Sequence, residues 1–221
     1  DHVNMAQSTN DVIPTAIRLA ALAMLNELAP AFSELRDRLL DKGRELDGVI
    51  KSGRTHLQDA MPIRLGQEFR AYGITIERNL RRLHEVADFL RDLGIGGSAV
   101  GTGVNVEPQY PMLMVRHLRK MTSLDLREGE DRIQLMQSMG DVSAFSAQLR
   151  TMAVDLGKIA SDLRLLASGP RTGLDEIRLP AVQPGSSIMP GKVNPSIPEM
   201  VNQVCFQVIG NDACIAAAAE H

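Results

Sequence analysis

The sequence predicts an all-α protein built as a bundle of long helices. Only 3% of its 221 residues are aromatic and none is Trp, while Leu, Ala, Met and Ile abound. That composition suits helix-on-helix packing better than a sheet. Apolar residues also recur at steps of three and four over long segments. These segments reach roughly 25–35 residues, well beyond the 11 or 12 usual for a globular helix. Apolar stripes of that length need more partners than one small monomer supplies, so a bundle shared between several chains is expected.

The first predicted helix covers residues 12–46, with Ile13, Ile17, Ala20, Met24 and Leu28 on one stripe. Asn10 or Asp11 is expected to cap its start. Pro14 falls near the first turn, where proline is tolerated, and Pro30 is expected to kink or break the helix. A second helix is predicted over 65–93, its stripe formed by Leu65, Phe69, Tyr72, Ile76, Leu80, Leu83, Ala87 and Leu90, with Arg81, Arg82, Glu85 and Arg91 largely off it. Residues 94–103 are Gly-rich and contain a G-x-G-x-x-A match to the dinucleotide fingerprint. That reading is rejected, because the fingerprint needs a strand before it and a helix after it, whereas a predicted helix precedes and Val104-Asn105-Val106-Glu107-Pro108 follows. A third helix is predicted over 133–166, with Met136, Met139, Val142, Phe145, Leu149 and Met152 on its buried face and its methionines filling the core. A fourth starts near Ser196, with Ile197, Met200, Val201, Val204 and Val208 on its stripe.

An apolar content of 44% is globular, and the chain is long enough to bury a sizeable core as one domain. A net charge of −3 argues against nucleic acid as the main partner. No apolar run is read as approaching a membrane span, and no secretory signal opens the chain, so a cytoplasmic setting without membrane partners is expected. Cys205 and Cys214 lie on one predicted helix without metal-ligand spacing and are read as reduced thiols. No histidine pair has helical metal spacing, so neither a metal nor another cofactor is expected.

The most informative segment is Pro184-Gly185-Ser186-Ser187-Ile188-Met189-Pro190-Gly191-Lys192-Val193-Asn194-Pro195. Its prolines and glycines exclude a helix or a central strand. It brings two hydroxyls, an ammonium and a carboxamide close together, which suits a loop that wraps a small acidic molecule. Residues 185–195 resemble the signature loop of the fumarase/aspartase superfamily. Gln7-Ser8-Thr9-Asn10-Asp11 resembles the first active-site region of that family, and Gly53-Arg54-Thr55-His56-Leu57-Gln58-Asp59-Ala60 the second, in the family's order. The runs 8–16 and 197–206 are more similar to the aspartase branch than to class II fumarase.

The resemblance covers essentially all of residues 1–221 and implies the central helical domain of that fold. The abrupt start at Asp1 and the lack of a helix stop signal at the end lead to the expectation of a piece of a longer chain, with further domains before and after it. The resemblance implies a homotetramer whose active sites take residues from three subunits. It also implies elimination of ammonia from L-aspartate to give fumarate, through an aci-carboxylate formed when a base removes the proton beside a carboxylate. Ser186 is implied as that base, with neighbouring Ser187 left open. Lys192 and Asn194 are implied to bind a substrate carboxylate, as are Thr55 and His56, with Glu199 orienting the imidazole. Ser8, Thr9 and Asn10 are implied to bind the carboxylate and amino group and to stabilise the aci-carboxylate. Taken alone, each cluster has a plainer reading, namely helix caps, a structural histidine and a solvated lysine. Two other functions stay open: hydration of fumarate to malate, and a non-catalytic helical assembly module.

Overall fold

A computed structural model describes residues 2–220. Helices dominate, as expected: α1 (Thr9–Glu45), α2 (Leu65–Asp88), α3 (Tyr110–Thr122), α4 (Arg132–Gln137), α5 (Gly140–Leu166) and α6 (Ser196–Ala218). The strands form two small sheets. One is an antiparallel hairpin of β1 (Ile50–Thr55) and β2 (Gln58–Arg64), and the other a parallel pair of β3 (Asp92–Leu93) and β4 (Arg127–Glu128). The chain divides into two compact units, Asp1–Gln148 with the last residues from Ile215, and Leu149–Cys214.

In the first unit α1 and α2 pack along one another through a seam of glycines. A Cβ added to Gly66 would run into the Gly43 carbonyl and the Asp47 backbone, and one added to Gly73 would sit 2.8 Å from the Leu40 side chain. Leu22, Leu25, Ile76, Leu80, Leu83 and Leu90 fill the core beside this seam. Arg18 is buried among them, and its guanidinium donates to the Phe89 carbonyl at 2.9 Å and to the Asp141 carboxylate at 2.9 Å. A buried cation persists when it is paired and hydrogen-bonded in this way.

Several expectations are corrected by the structure. The cap of α1 is Ser8, not Asn10 or Asp11; its Oγ accepts the Asn10 N–H, while Asp11 returns a carboxylate to the Ser8 N–H as a capping box. Pro14 therefore lies inside the helix, and α1 runs through Pro30 without ending. Pro30 is exposed, as is Asn26, whose carbonyl loses its helical partner, so water can take up the freed group. α1 also holds an 18-residue stretch of mean hydropathy 1.4, long and apolar enough by length and composition to cross a membrane, contrary to expectation. The run is rich in Ala, Leu, Met and Ile, and the buried ion pair of Arg18 ties this helix into the unit's core.

The second predicted helix stops at Asp88, followed by a 3-10 turn at Phe89–Arg91 and β3. The third is two helices, because Ser138 is extended and its Oγ accepts the Gly140 N–H that begins α5. α3 and the β1–β2 hairpin had no counterpart in the sequence reading. The Gly-rich segment is preceded directly by the two-residue strand β3, not by a helix as expected, and it reaches α3 only at Tyr110 after a run of turns, so its glycines do not open that helix as a dinucleotide fingerprint requires.

In the second unit Asn202 of α6 is buried and donates to the Gly157 carbonyl at 3.0 Å and to Ser161 Oγ at 3.1 Å on α5. Arg150 pairs with Asp212 at 2.7 Å. α6 starts at Ser196, as expected, and both cysteines are free, Cys205 buried and Cys214 exposed. Ile197, Met200, Val204 and Phe206 of the same helix are left exposed.

Candidate active site

The three hydrophilic clusters sit on three different kinds of scaffold. Ser8, Thr9 and Asn10 form the start of α1, where the helix dipole favours an anion, although the Ser8, Asn10 and Asp11 N–H groups are already bonded within the cap. The Ser8 hydroxyl is engaged in the cap, whereas the Thr9 and Asn10 side chains face outward. Asn10 Nδ2 donates to the Ala99 carbonyl of the Gly-rich loop at 2.8 Å. Asp11, read from sequence only as a possible cap, is 1% exposed, and its Oδ2 accepts the N–H groups of Gly96 at 3.0 Å and Ser98 at 3.1 Å. No local sequence signal marks this role, because the bonded partners lie more than eighty positions away.

Thr55 and His56 stand at the tip of the β1–β2 hairpin, where Thr55 pairs with Gln58. The turn residues His56 and Leu57 both have left-handed backbones, φ 54° and 62°. Such a two-residue turn matches the twist of the strands but ordinarily uses Asn-Gly. A left-handed conformation costs an ordinary side chain about 1–2 kcal/mol. Gly53 forms the irregularity behind the tip, where a Cβ would lie 2.7 Å from the Met61 carbonyl. The result is an imidazole held clear of the strands and exposed.

Ser186, Ser187, Lys192 and Asn194 share the loop before α6, in the second unit. Backbone bonds from Ser186 N–H to the Lys192 carbonyl (3.0 Å) and from Lys192 N–H to the Met189 carbonyl (3.1 Å) close the loop on itself. Gly185 makes that closure possible, with φ 85° and room for no Cβ, since one would sit 2.7 Å from the Lys192 carbonyl. The two serines differ. Ser186 is half-buried and its Oγ accepts the Met189 N–H at 3.2 Å, while Ser187 is exposed. Lys192 Nζ donates to Asn194 Oδ1 at 2.8 Å, which leaves the Asn194 amide N–H groups as the free donors. Lys192 and Asn194, both implied to bind a substrate carboxylate, are thus bonded to one another. Glu199 lies in the first turn of α6, with Arg164 Nη2 3.8 Å from its carboxylate. His56 and Glu199 belong to different units. Among the described residues no group of three His, Cys, Asp or Glu side chains is arranged to hold a metal ion.

Long helices that carry this closed Pro/Gly loop, a capped hydroxyl cluster and a strained histidine turn are the parts of one known class. A family model described as lyase matches residues 1–210, and the chain belongs to that lyase family. It is 49% identical to the aspartate ammonia-lyase of Bacillus subtilis over 99% of its own length and 46% of that protein's. Among solved structures, fumarate lyase:delta crystallin from Brucella melitensis, bound to cobalt, matches with a TM-score of 0.95 and 53% identity over 99% of this chain and 47% of that one. Class II fumarase from Schistosoma mansoni matches with a TM-score of 0.90 and 35% identity, over 99% and 49% of the two chains. The chain spans about half the length of the curated relatives it matches.

Proposed function

We propose that the protein to which this chain contributes is an aspartate ammonia-lyase, which eliminates ammonia from L-aspartate to give fumarate. The carrying observation is the identity of about one half with curated aspartate ammonia-lyases over almost the whole chain. The loop geometry fits the chemistry. In the proposed reaction Ser186, as its alkoxide, takes a proton from C3 of aspartate. The C–H electrons move into an aci-carboxylate, then form the C2=C3 bond as the C2–N bond breaks and ammonia leaves. A serine hydroxyl is a poor base unless its anion is stabilised. The Met189 N–H directed at Ser186 Oγ is such a stabilising donor, and Ser187 has no counterpart to it. Lys192 and Asn194 act as one carboxylate clamp, a charge beside oriented amide N–H groups. Thr55 and His56 hold the other carboxylate, with Glu199 of a neighbouring copy orienting the ring. Asn10 contacts the amino group and Thr9 the developing aci-carboxylate, where one well-aimed donor is worth about 3 kcal/mol.

In this reading the working form is a cytoplasmic homotetramer with sites built from several subunits. The exposed apolar side chains of α6 support such an assembly. The chain by itself serves as its helical assembly part. The test is the rise of fumarate absorbance when L-aspartate is added to the full-length protein. Turnover of L-malate without turnover of aspartate would instead support a class II fumarase, the reading favoured by the match to the Schistosoma mansoni enzyme.

A further inference from the structure

Asn10 carries both a donor and an acceptor, and which of them it offers a ligand depends on how its carboxamide is turned. The structure fixes that choice. The Ala99 carbonyl can only accept, so the Asn10 group facing it at 2.8 Å must be Nδ2, and Oδ1 is the atom turned the other way. The Ala99 carbonyl is itself held in place. Three positions before it, the Gly96 N–H donates to Asp11 Oδ2, and so does the Ser98 N–H. Asp11 uses its other oxygen on the Ser8 N–H at 2.9 Å, so one buried carboxylate ties the Gly-rich loop to the helix start that bears Asn10. The loop has little freedom on its far side. A Cβ on Gly96 would sit 2.5 Å from the Pro111 ring, and one on Gly101 2.5 Å from Ile133 Cα. The loop is therefore wedged between α1 on one side and α3 and α4 on the other.

We propose that Asp11 is a positioning residue for substrate choice: by pinning the Gly-rich loop it sets the Ala99 carbonyl against Asn10, so that Asn10 presents Oδ1, an acceptor, to the ammonium of the substrate. The proposal rests on the aspartate ammonia-lyase reading. It adds a device that selects an amino acid over a dicarboxylate lacking a donor at that carbon. A carboxamide free to turn would offer donor and acceptor alike and lose that preference.

The test uses the full-length protein and two ligands, L-aspartate as substrate and succinate as a competitive inhibitor without an amino group. In Asp11→Asn the carboxamide nitrogen that replaces one oxygen faces a backbone N–H, so one tie is lost. KM for aspartate is expected to rise at least tenfold while the succinate inhibition constant changes less than twofold. Gly96→Ala displaces the loop while leaving the Asp11 and Asn10 side chains themselves unaltered and is expected to give the same split, which keeps the idea testable if Asp11→Asn does not fold. A merely structural role would weaken both ligands together. Equal losses for both, or no change for either, overturn the proposal while leaving the lyase reading standing. A wild-type protein inert toward aspartate overturns that reading and takes this proposal with it.

Discussion

Ser186 and Ser187 are adjacent and chemically identical, yet one hydroxyl accepts a backbone N–H and is half-buried while the other is exposed. If Ser186 is the base, Ser186→Ala is expected to lower kcat by at least a thousandfold and Ser187→Ala by less than tenfold, read from fumarate formation. A second prediction concerns Tyr110, whose buried hydroxyl finds no hydrogen-bond partner. Burial first, and the Asp11 charge second, push its phenol above the usual tyrosine range. The folded state then binds this proton more tightly than the unfolded chain does. The resulting stability is whole below about pH 10 and drains away as pH rises through the folded value. Tyr110→Phe is expected to flatten the fall of the melting temperature above pH 10 and to leave the neutral-pH value unchanged or higher, since it removes an unpaired polar group. At this scale the sequence was informative about identity and mute about orientation. The motifs name Ser186, His56 and Asn10, but the Met189 N–H that separates the two serines and the Ala99 carbonyl that turns Asn10 depend on how the backbone closes.

At the scale of elements, periodicity located the long helices but failed at their interruptions and on the buried face of α1, where Ile13, Ile17 and Met24 of the expected stripe are exposed while Thr15, Arg18, Leu22 and Leu25 are buried. The split between α4 and α5 turns on Ser138 acting as a cap, which an unbroken apolar stripe conceals. The persistence of α1 through Pro30 turns on that residue facing solvent. The hairpin went unread because its turn has no Asn-Gly or Asp-Gly signal, only His56-Leu57 in a conformation neither residue prefers. That strain gives a prediction: Leu57→Gly relieves a cost of about 1–2 kcal/mol and incurs about 0.5–1 kcal/mol of glycine entropy, so chemical denaturation is expected to show a gain of roughly 0.5–1 kcal/mol. The α1–α2 seam predicts the opposite sign. A methyl group at Gly66 meets backbone that cannot swing aside, so Gly66→Ala is expected to cost about 1–3 kcal/mol and lower the thermal midpoint by several degrees.

For the whole molecule, the proposed assembly has a signature that no single copy displays. If each site draws Ser186 from one subunit and His56 from another, two inactive variants, Ser186→Ala and His56→Asn, are expected to regain measurable turnover when unfolded and refolded together. Refolded separately, each stays inactive. A mixture as inactive as its components would count against shared sites, and light scattering on the same samples reports whether tetramers formed. At this scale the sequence offers an expectation only, drawn from apolar stripes longer than one small chain is expected to cover. What it withheld was the uneven distribution of that apolar surface.

The open face of α6 has its own consequence. With Ile197, Met200, Val204 and Phe206 turned outward, a freshly made copy is a sticky object for as long as that surface stays uncovered, and under the proposed assembly dilution prolongs that exposure. If the proposed assembly is what covers this face, yield on refolding is governed by a race between orderly association, which hides it, and clumping, which also hides it. The winner depends on how many copies share the vessel as much as on how well each one folds.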